Sequence, residues 1–188
     1  TYIPPYLDFV DPELGEAATD NRYACVSGDD ILPDLNIGRL PANTPAEAET
    51  MVNKIVSYEL IPAAGDWNRN VVFVADDLEG GGGNFYDLSD RIADGYLDPP
   101  TNTIKLLPEA YTTTKVYYGT GAHTTVAATR NAIGASISEG QLMVSYIGHS
   151  AFTWWAHEKF FRTGDVAGLT NGAELPSLLP RSWRGGFG

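Results

Sequence analysis

The sequence has a single cysteine, Cys25, and this scarcity excludes an intrachain disulfide. The flanking residues 23–27 are typical of a short strand, where a lone cysteine is most often a small buried hydrophobic side chain. Basic residues are also few, with 12 Lys and Arg against 24 Asp and Glu, a net charge of −12 and no basic run. Because nucleic acids and anionic membranes are bound through clustered Lys and Arg, the composition argues against both partners.

Long apolar runs are missing as well. No segment approaches the ~18 apolar residues of a membrane span, and no signal peptide is present. The 188 residues contain no internal repeat and suit one domain with a sizeable core, residues 1–188. Both ends are abrupt, and we expect the domain to be cut from a longer protein.

Short apolar runs alternate with helical patterns along the chain. The helix after Thr44 is the clearest, because Thr44, Pro45 and Glu47 provide a cap, a first-turn proline and a capping-box glutamate. The sequence predicts helices at 45–59, 85–97 and 123–138, and strands at 23–27, 35–40, 70–75, 115–118, 142–147 and 175–179. This order predicts an α/β fold, a three-layer sandwich with a mostly parallel sheet flanked by helices.

A histidine follows the most hydrophobic of the late strands. The apolar run 142–147 ends in Gly148, His149 and Ser150. In a parallel sheet the carboxyl ends of the strands are where reacting groups gather. Histidine is also the side chain whose unperturbed pKa suits proton transfer near neutrality, so His149 is a candidate general base.

Three acidic residues follow an earlier strand. Asp76, Asp77 and Glu79 come directly after the apolar run 70–75. If the two strands are neighbours, one of these carboxylates can accept a hydrogen bond from the His149 imidazole and orient it. The alternative is that the acids line a polar loop or bind Ca²⁺. The sequence leaves Asp76 and Asp77 evenly balanced between the two roles and slightly favours catalysis for Glu79.

Two cofactor motifs are incomplete. The glycines at 80–83 lack the third glycine of the dinucleotide fingerprint, because Phe85 stands there, and they lack the Gly-Lys-Ser/Thr of a phosphate loop. His157 and Glu158 begin like a zinc-binding helix, but the second histidine is absent. We therefore expect no cofactor for catalysis, and place His123 and His157 at the surface or behind the site.

Several short motifs follow one another in a specific order. They are Gly28-Asp29-Asp30, Ile37-Gly38-Arg39, Tyr58-Glu59, the run from Ala75 to Gly81, Ser89-Asp90, Tyr146-Ile147-Gly148-His149, Leu169-Thr170-Asn171 and Leu175-Pro176. In this order and spacing the chain resembles the catalytic domain of gingipain-type cysteine peptidases, within the caspase-like fold that also includes legumain. The resemblance covers nearly the whole chain.

The resemblance implies roles for individual residues. His149 would be the catalytic base, and the supporting acid maps best to Glu79, with Asp77 or Asp76 possible. An aspartate equivalent to Asp90 shapes the specificity pocket in arginine-cleaving members of the family.

Further expectations concern the cleft and its partners. Main-chain N–H groups near Gly148 would hold the oxyanion, and a polypeptide substrate or protein partner and a secreted or cell-surface location are implied. Trp154 and Trp155 could wall a substrate cleft, although half-buried structural tryptophans are as frequent. The acidic turn with Asp29 and Asp30 is the predicted place for a structural Ca²⁺.

The chain departs from the family at two places. Ser150 stands where a glycine usually follows the histidine, and Trp183 stands where the cysteine nucleophile is expected. The adjacent Ser182 is a poor substitute without its own base. Either the final residues are altered or cut, or the domain is an inactive pseudo-peptidase with a structural, assembly or calcium-binding role.

Overall fold

A computed structural model describes residues 3–12, 15–78, 83–98 and 102–183. The chain divides into two compact units, residues 1–60 and 61–188. The α-helices of the described residues are α1 (Pro45–Leu60), α2 (Phe85–Ala93) and α3 (Val126–Ser138). The strands are β1 (Leu7–Asp11), β2 (Gly15–Ala18), β3 (Asn70–Ala75), β4 (Tyr96–Asp98), β5 (Asn102–Ile104), β6 (Thr112–Tyr117), β7 (Met143–Ala151), β8 (Trp154–Trp155), β9 (Phe161–Arg162) and β10 (Ser177–Trp183). Short 3₁₀ helices cover Asp20–Ala24, Asp66–Arg69 and Thr163–Gly168.

The first unit contains the antiparallel pair β1–β2 and helix α1. The predicted start of α1 is confirmed, since the Thr44 hydroxyl accepts the Glu47 N–H at 3.2 Å. The Glu47 carboxylate in turn accepts the N–H of Asn43 at 2.7 Å. The helix therefore begins with reciprocal capping, shifted by one residue from the standard box.

The strands predicted at 23–27 and 35–40 are wrong, because neither segment forms a strand. The Asp34 carboxylate accepts the N–H groups of Val26 and Ser27, both at 2.8 Å, and the Asp34 N–H donates to the Ala24 carbonyl. This aspartate takes up the main-chain donors that a neighbouring strand would need. The segment therefore forms a turn held by one side chain.

The second unit contains the predicted parallel sheet, with strand order β6–β3–β7–β10. Past its parallel part, β7 turns back into the short antiparallel strands β8 and β9. Helices α2 and α3 pack on opposite faces of β3. The predicted three-layer α/β sandwich is confirmed.

Successive side chains of β3 point to opposite faces of the sheet, and each face packs against one of the two helices. Val72 and Val74 lie in the cluster that includes Ile133 of α3, whereas Val71 and Phe73 lie in the cluster on the α2 side. All four valine and phenylalanine side chains are buried, as expected for a strand covered on both faces. The same alternation on β7 places Tyr146 on the α3 side and Ile147 on the α2 side.

Several predicted boundaries differ, including the end of α2, the start of α3 and the end of β7. Helix α2 ends at Ala93 instead of 97, because Gly95 adopts a φ of +92° and packs against the main chain of Ile104 so closely that a Cβ would collide. Helix α3 starts later than 123, since Thr125 accepts the Ala128 N–H at 3.2 Å and caps the helix there. Strand β7 extends to Ala151, so His149 lies inside the strand and not after it.

Within the described part of the chain, no helix combines the length and the apolar character needed to cross a membrane.

Candidate active site

His149 and Asp76 form a buried pair at the carboxyl edge of the sheet. Asp76 follows β3, His149 lies near the end of β7, and the two strands are neighbours. The His149 Nδ1 atom lies 3.0 Å from Asp76 Oδ2, and the main-chain N–H of His149 donates to the same oxygen at 3.0 Å. Asp76 is 1% exposed and His149 8%. The structure thus brings together one of the three predicted acids and the predicted base.

The surroundings of Asp76 define the proton position on His149. The second carboxylate oxygen of Asp76 accepts the N–H of Asp77 at 2.9 Å, so both oxygens face N–H donors. An ionised carboxylate is acceptor-only and satisfies these contacts when the imidazole carries its proton on Nδ1. This tautomer leaves the Nε2 lone pair free to accept a proton, which is the state that a general base requires.

Burial and hydrogen bonding shift the pKa of Asp76 in opposite directions. Burial raises the pKa of Asp76 above its usual range, while the hydrogen bonds from His149 and from the Asp77 N–H lower it. Burial is the larger of the two effects.

The absence of a side chain at Gly148 lets neighbouring side chains pack closely against the main chain at this edge of the sheet. A Cβ at position 148 would collide with the Cβ of Asp76 and with the hydroxyl of Tyr146. The absent side chain lets both neighbours approach the main chain at the residue before His149. The glycine of the Gly-His motif therefore has a packing reason in this chain. Its predicted oxyanion role stays a prediction.

Phe85 and Tyr146 also contact the pair, and sequence reasoning missed both of these contacts. The Phe85 ring meets the His149 imidazole edge to face, with centroids 5.2 Å apart. Phe85 is the first residue of α2, and its side chain is buried. The Tyr146 hydroxyl donates to the His149 carbonyl. The alternation of β7 was the available signal for Tyr146, but no motif pointed to Phe85.

The parallel pairing of β7 and β10 places position 183 beside the histidine. Ser177 is in register with Met143, and the pairing continues to Trp183 in register with His149. Neighbouring strands lie about 4.8 Å apart. The backbone at position 183 is therefore the nearest point of β10 to His149, and this is the position where the family resemblance implies the cysteine nucleophile.

The other predicted acids have different positions. Asp77 is half-buried next to Asp76, and its main-chain N–H donates to the Asp76 carboxylate. Glu79 lies outside the described residues. Their catalytic roles stay predictions.

Asp90 is already engaged by side chains of β6. Its carboxylate lies 2.6 Å from Lys115 Nζ and accepts the Tyr117 hydroxyl at 2.8 Å. Lys115 also pairs with Asp94 at 2.5 Å. Both partners contact Oδ1 of Asp90, and the side chain stays 44% exposed. Its role in substrate binding stays a prediction.

The two tryptophans form the strand that returns from the histidine. Trp155 stacks on Tyr146 with ring centroids 4.5 Å apart, and Lys159 lies over the Trp154 ring at 4.4 Å. Both tryptophans are half-buried. They have structural partners, and the proposed contact with substrate stays a prediction.

Carboxylates that could hold a metal ion lie at the pair and not at the predicted turn. Carboxylate oxygens of Asp76, Asp77 and Glu158 lie within 4.8 Å of one another. Among the described residues, this is the cluster of three side chains that could hold a metal ion. Asp29 and Asp30 are exposed, and the Asp30 carboxylate accepts the Leu32 N–H at 2.8 Å. A Ca²⁺ at that turn stays a prediction.

Glu158 is expected to make stability depend on pH. Burial, followed by the charges of Asp77 and Asp76, raises its pKa. A carboxyl whose pKa is raised by folding contributes stability below its unfolded value near 4.3, and this contribution is lost as the pH rises through the folded pKa. Glu158→Gln stays neutral, so its melting temperature should match wild type near pH 4 and exceed it at pH 7.5.

Glu109→Gln is the control for that measurement, because Lys105 lowers the pKa of Glu109. This variant should show no gain at pH 7.5. Thermal melts of the three proteins at both pH values check the expectation. An equal gain for Glu158→Gln at pH 4 and pH 7.5 would contradict it.

The sheet edge and the buried pair define an α/β domain that presents a carboxylate-held histidine at the carboxyl ends of parallel strands. The chain belongs to peptidase family C25, whose family model matches residues 1–180. The resemblance to gingipain-type cysteine peptidases is confirmed, and the domain is related to cysteine peptidases. A search of curated proteins found no match.

Two solved structures share the fold. Gingipain R, described as an Arg-specific cysteine proteinase, superposes with a TM-score of 0.64 at 24% identity, over 87% of this chain and 35% of the gingipain chain. The complex of RgpB pro- and mature domains from Porphyromonas gingivalis gives a TM-score of 0.64 at 21% identity, over 86% of this chain and 36% of that one. The chain thus spans about a third of the length of these proteins, and at these identities the likeness establishes the fold alone.

Proposed function

We propose that the sheet edge around His149 is the catalytic edge of a gingipain-type cysteine endopeptidase. His149 is the base, Asp76 orients it, and position 183 is the place of the nucleophile. The observation that carries this proposal is the register of β10 on β7, which pairs position 183 with His149. Membership of peptidase family C25 supports the reaction class.

Such a site would cleave a peptide bond in two steps. A thiol at position 183 passes its proton to Nε2 of His149, and the thiolate attacks the carbonyl carbon of the scissile peptide bond. The imidazolium then protonates the leaving amine as the C–N bond breaks, leaving a thioester. Water, deprotonated by His149, hydrolyses the thioester and restores the thiol. Asp76 stabilises the imidazolium through Nδ1, and N–H groups near Gly148 would hold the oxyanion.

In the sequence as given, Trp183 cannot act as this nucleophile. A peptidase that loses its nucleophile loses roughly 10⁶ in turnover, by analogy with subtilisin. This residue favours a second candidate function, an inactive domain that binds a polypeptide or a protein partner. The secreted location implied by the resemblance belongs equally to both candidates.

Introducing a thiol at position 183 tests the proposal. The variant Trp183→Cys, in a Cys25→Ser background to remove other thiols, is alkylated with iodoacetamide at pH 6. Leu179→Cys is the matched control, because it lies four residues earlier on the same strand, is 52% exposed and is in register with Ser145. A thiol beside an imidazole ionises far below its usual pKa near 8.5, so we expect at least about tenfold faster alkylation at position 183.

His149→Ala in the same background should abolish that advantage and leave the Leu179→Cys rate unchanged. Equal rates for the two thiols in folded protein, or a fast rate at position 183 that survives His149→Ala, would contradict the proposal.

The inactive candidate makes a separate prediction about calcium. If Asp76, Asp77 and Glu158 hold a structural Ca²⁺, the melting temperature of the unaltered chain falls in EDTA. An unchanged melt in EDTA counts against structural Ca²⁺. Asp76 is a poor ligand in its present state, because its oxygens already accept three N–H groups.

A further inference from the structure

The Tyr146 hydroxyl bridges two main-chain groups, one inside β7 and one directly after β8. It donates to the carbonyl of His149 and accepts the N–H of Ala156 at 3.1 Å. The same Ala156 N–H also donates to the His149 carbonyl at 2.8 Å. Ala156 has a φ of +59°, a conformation that alanine adopts only when its surroundings impose it. The bridge therefore links His149 to a strained residue in the turn that follows β8.

The position of the hydroxyl is fixed by the packing of the ring. Tyr146 is fully buried, stacks on Trp155 with an interplanar angle of 1°, and meets Phe160 edge to face at 6.1 Å. The ring reaches the His149 carbonyl across Gly148, where any side chain would meet the hydroxyl. Burial raises the pKa of Tyr146, so the hydroxyl keeps the proton that it donates.

Asp76 and Tyr146 hold opposite sides of the same residue. Asp76 binds the main-chain N–H and the ring of His149, and Tyr146 binds its carbonyl. Both peptide units that flank the His149 Cα are thereby fixed, and with them the direction of the Cα–Cβ bond. The Ala156 N–H shares this carbonyl, so loss of the Tyr146 hydroxyl would leave one main-chain hydrogen bond there and remove the side-chain contact.

We propose that Tyr146 is a positioning residue for His149, whose hydroxyl fixes the main chain that aims the imidazole at position 183. This inference rests on the proposed function, because it concerns the aim of the base. Nothing in the Gly-His motif assigns such a role to the tyrosine three residues before the histidine.

The test compares two tyrosine hydroxyls in the Cys25→Ser, Trp183→Cys protein. Tyr146→Phe removes the hydroxyl and keeps the ring that stacks on Trp155. Tyr86→Phe is the matched control, because the Tyr86 hydroxyl donates to the main-chain carbonyl of Tyr118 and its ring stacks on Tyr117 at 5.4 Å. We expect Tyr146→Phe to slow alkylation at pH 6 by roughly three- to tenfold, the equivalent of one hydrogen bond, and Tyr86→Phe to have no such effect.

Adding His149→Ala separates positioning from a general loss of structure. In that background Tyr146→Phe should cause no further slowing, because there is no imidazole left to aim. If His149→Ala slows the reaction and Tyr146→Phe does not, or if Tyr146→Phe slows it equally without His149, this inference fails alone. If His149→Ala has no effect, the proposed function fails and the inference fails with it.

Discussion

Asp76→Asn is expected to remove most of the reactivity of a thiol introduced at position 183. The carboxylate accepts N–H groups on both oxygens, and an amide has only one oxygen. If the amide nitrogen faces His149 Nδ1, the imidazole proton must move to Nε2 and the base is lost. If it faces the Asp77 N–H, two donors oppose each other in a buried place.

The expected loss of thiol reactivity is large because Asp76→Asn would place the imidazole proton on Nε2, the atom that must accept the thiol proton. The corresponding exchange in a serine-protease triad lowers turnover about 10⁴-fold. For alkylation at pH 6 in the Cys25→Ser, Trp183→Cys protein, we expect Asp76→Asn to be at least about tenfold slower than its parent.

Asp77→Asn and Glu79→Gln are compared in the same alkylation assay, because all three acids were candidates for the residue that orients His149. Only the residue that orients His149 should produce the loss. A large effect from Glu79→Gln with none from Asp76→Asn would return the role to the acid that the family resemblance favoured.

Gly148→Ala should have the largest effect on stability. The added methyl group would overlap the Cβ of Asp76 and the Tyr146 hydroxyl, and both neighbours are buried. Overpacking of a buried site costs about 1–3 kcal/mol, which lowers the melting temperature of a domain of this size by roughly 2–12 °C.

Gly134→Ala is the control for Gly148→Ala. Gly134 lies inside α3, and a Cβ there meets nothing within 4 Å. Alanine in a helix interior is more stable than glycine by roughly 0.5–1 kcal/mol, so the same chemical change should leave the melting temperature equal or higher. Thermal melts of both variants check the pair, and an unchanged melt for Gly148→Ala would mean that the strand end is not closely packed.

The sheet edge that carries His149 and Asp76 could be predicted because it depends on local patterns. The apolar runs that became β3 and β7 located the two strands, and parallel strands bring their carboxyl ends together. The choice among Asp76, Asp77 and Glu79 could not be made, because it depends on which side chain turns toward β7 as β3 ends. The contact of Phe85 depends on how α2 lies over the sheet, which spacing does not reveal.

The errors in the first unit have a different origin. Residues 23–27 are apolar enough for a strand, yet Asp34 binds the main-chain donors of Val26 and Ser27 first. Such a bond forms between residues seven or eight positions apart, so no local window detects it. The register of β10, which pairs position 183 with His149, was approximated in the sequence only through the family resemblance.

We infer that Asp76 holds His149 with its proton on Nδ1 and leaves Nε2 free. Nitrogen NMR of ¹⁵N-histidine-labelled protein at neutral pH tests this directly in the unaltered chain, with His149→Gln identifying its signals among the three histidines. We expect Nδ1 of His149 to carry the bonded proton and Nε2 to give the signal of an unprotonated nitrogen. A proton on Nε2, with Nδ1 unprotonated, would contradict the account.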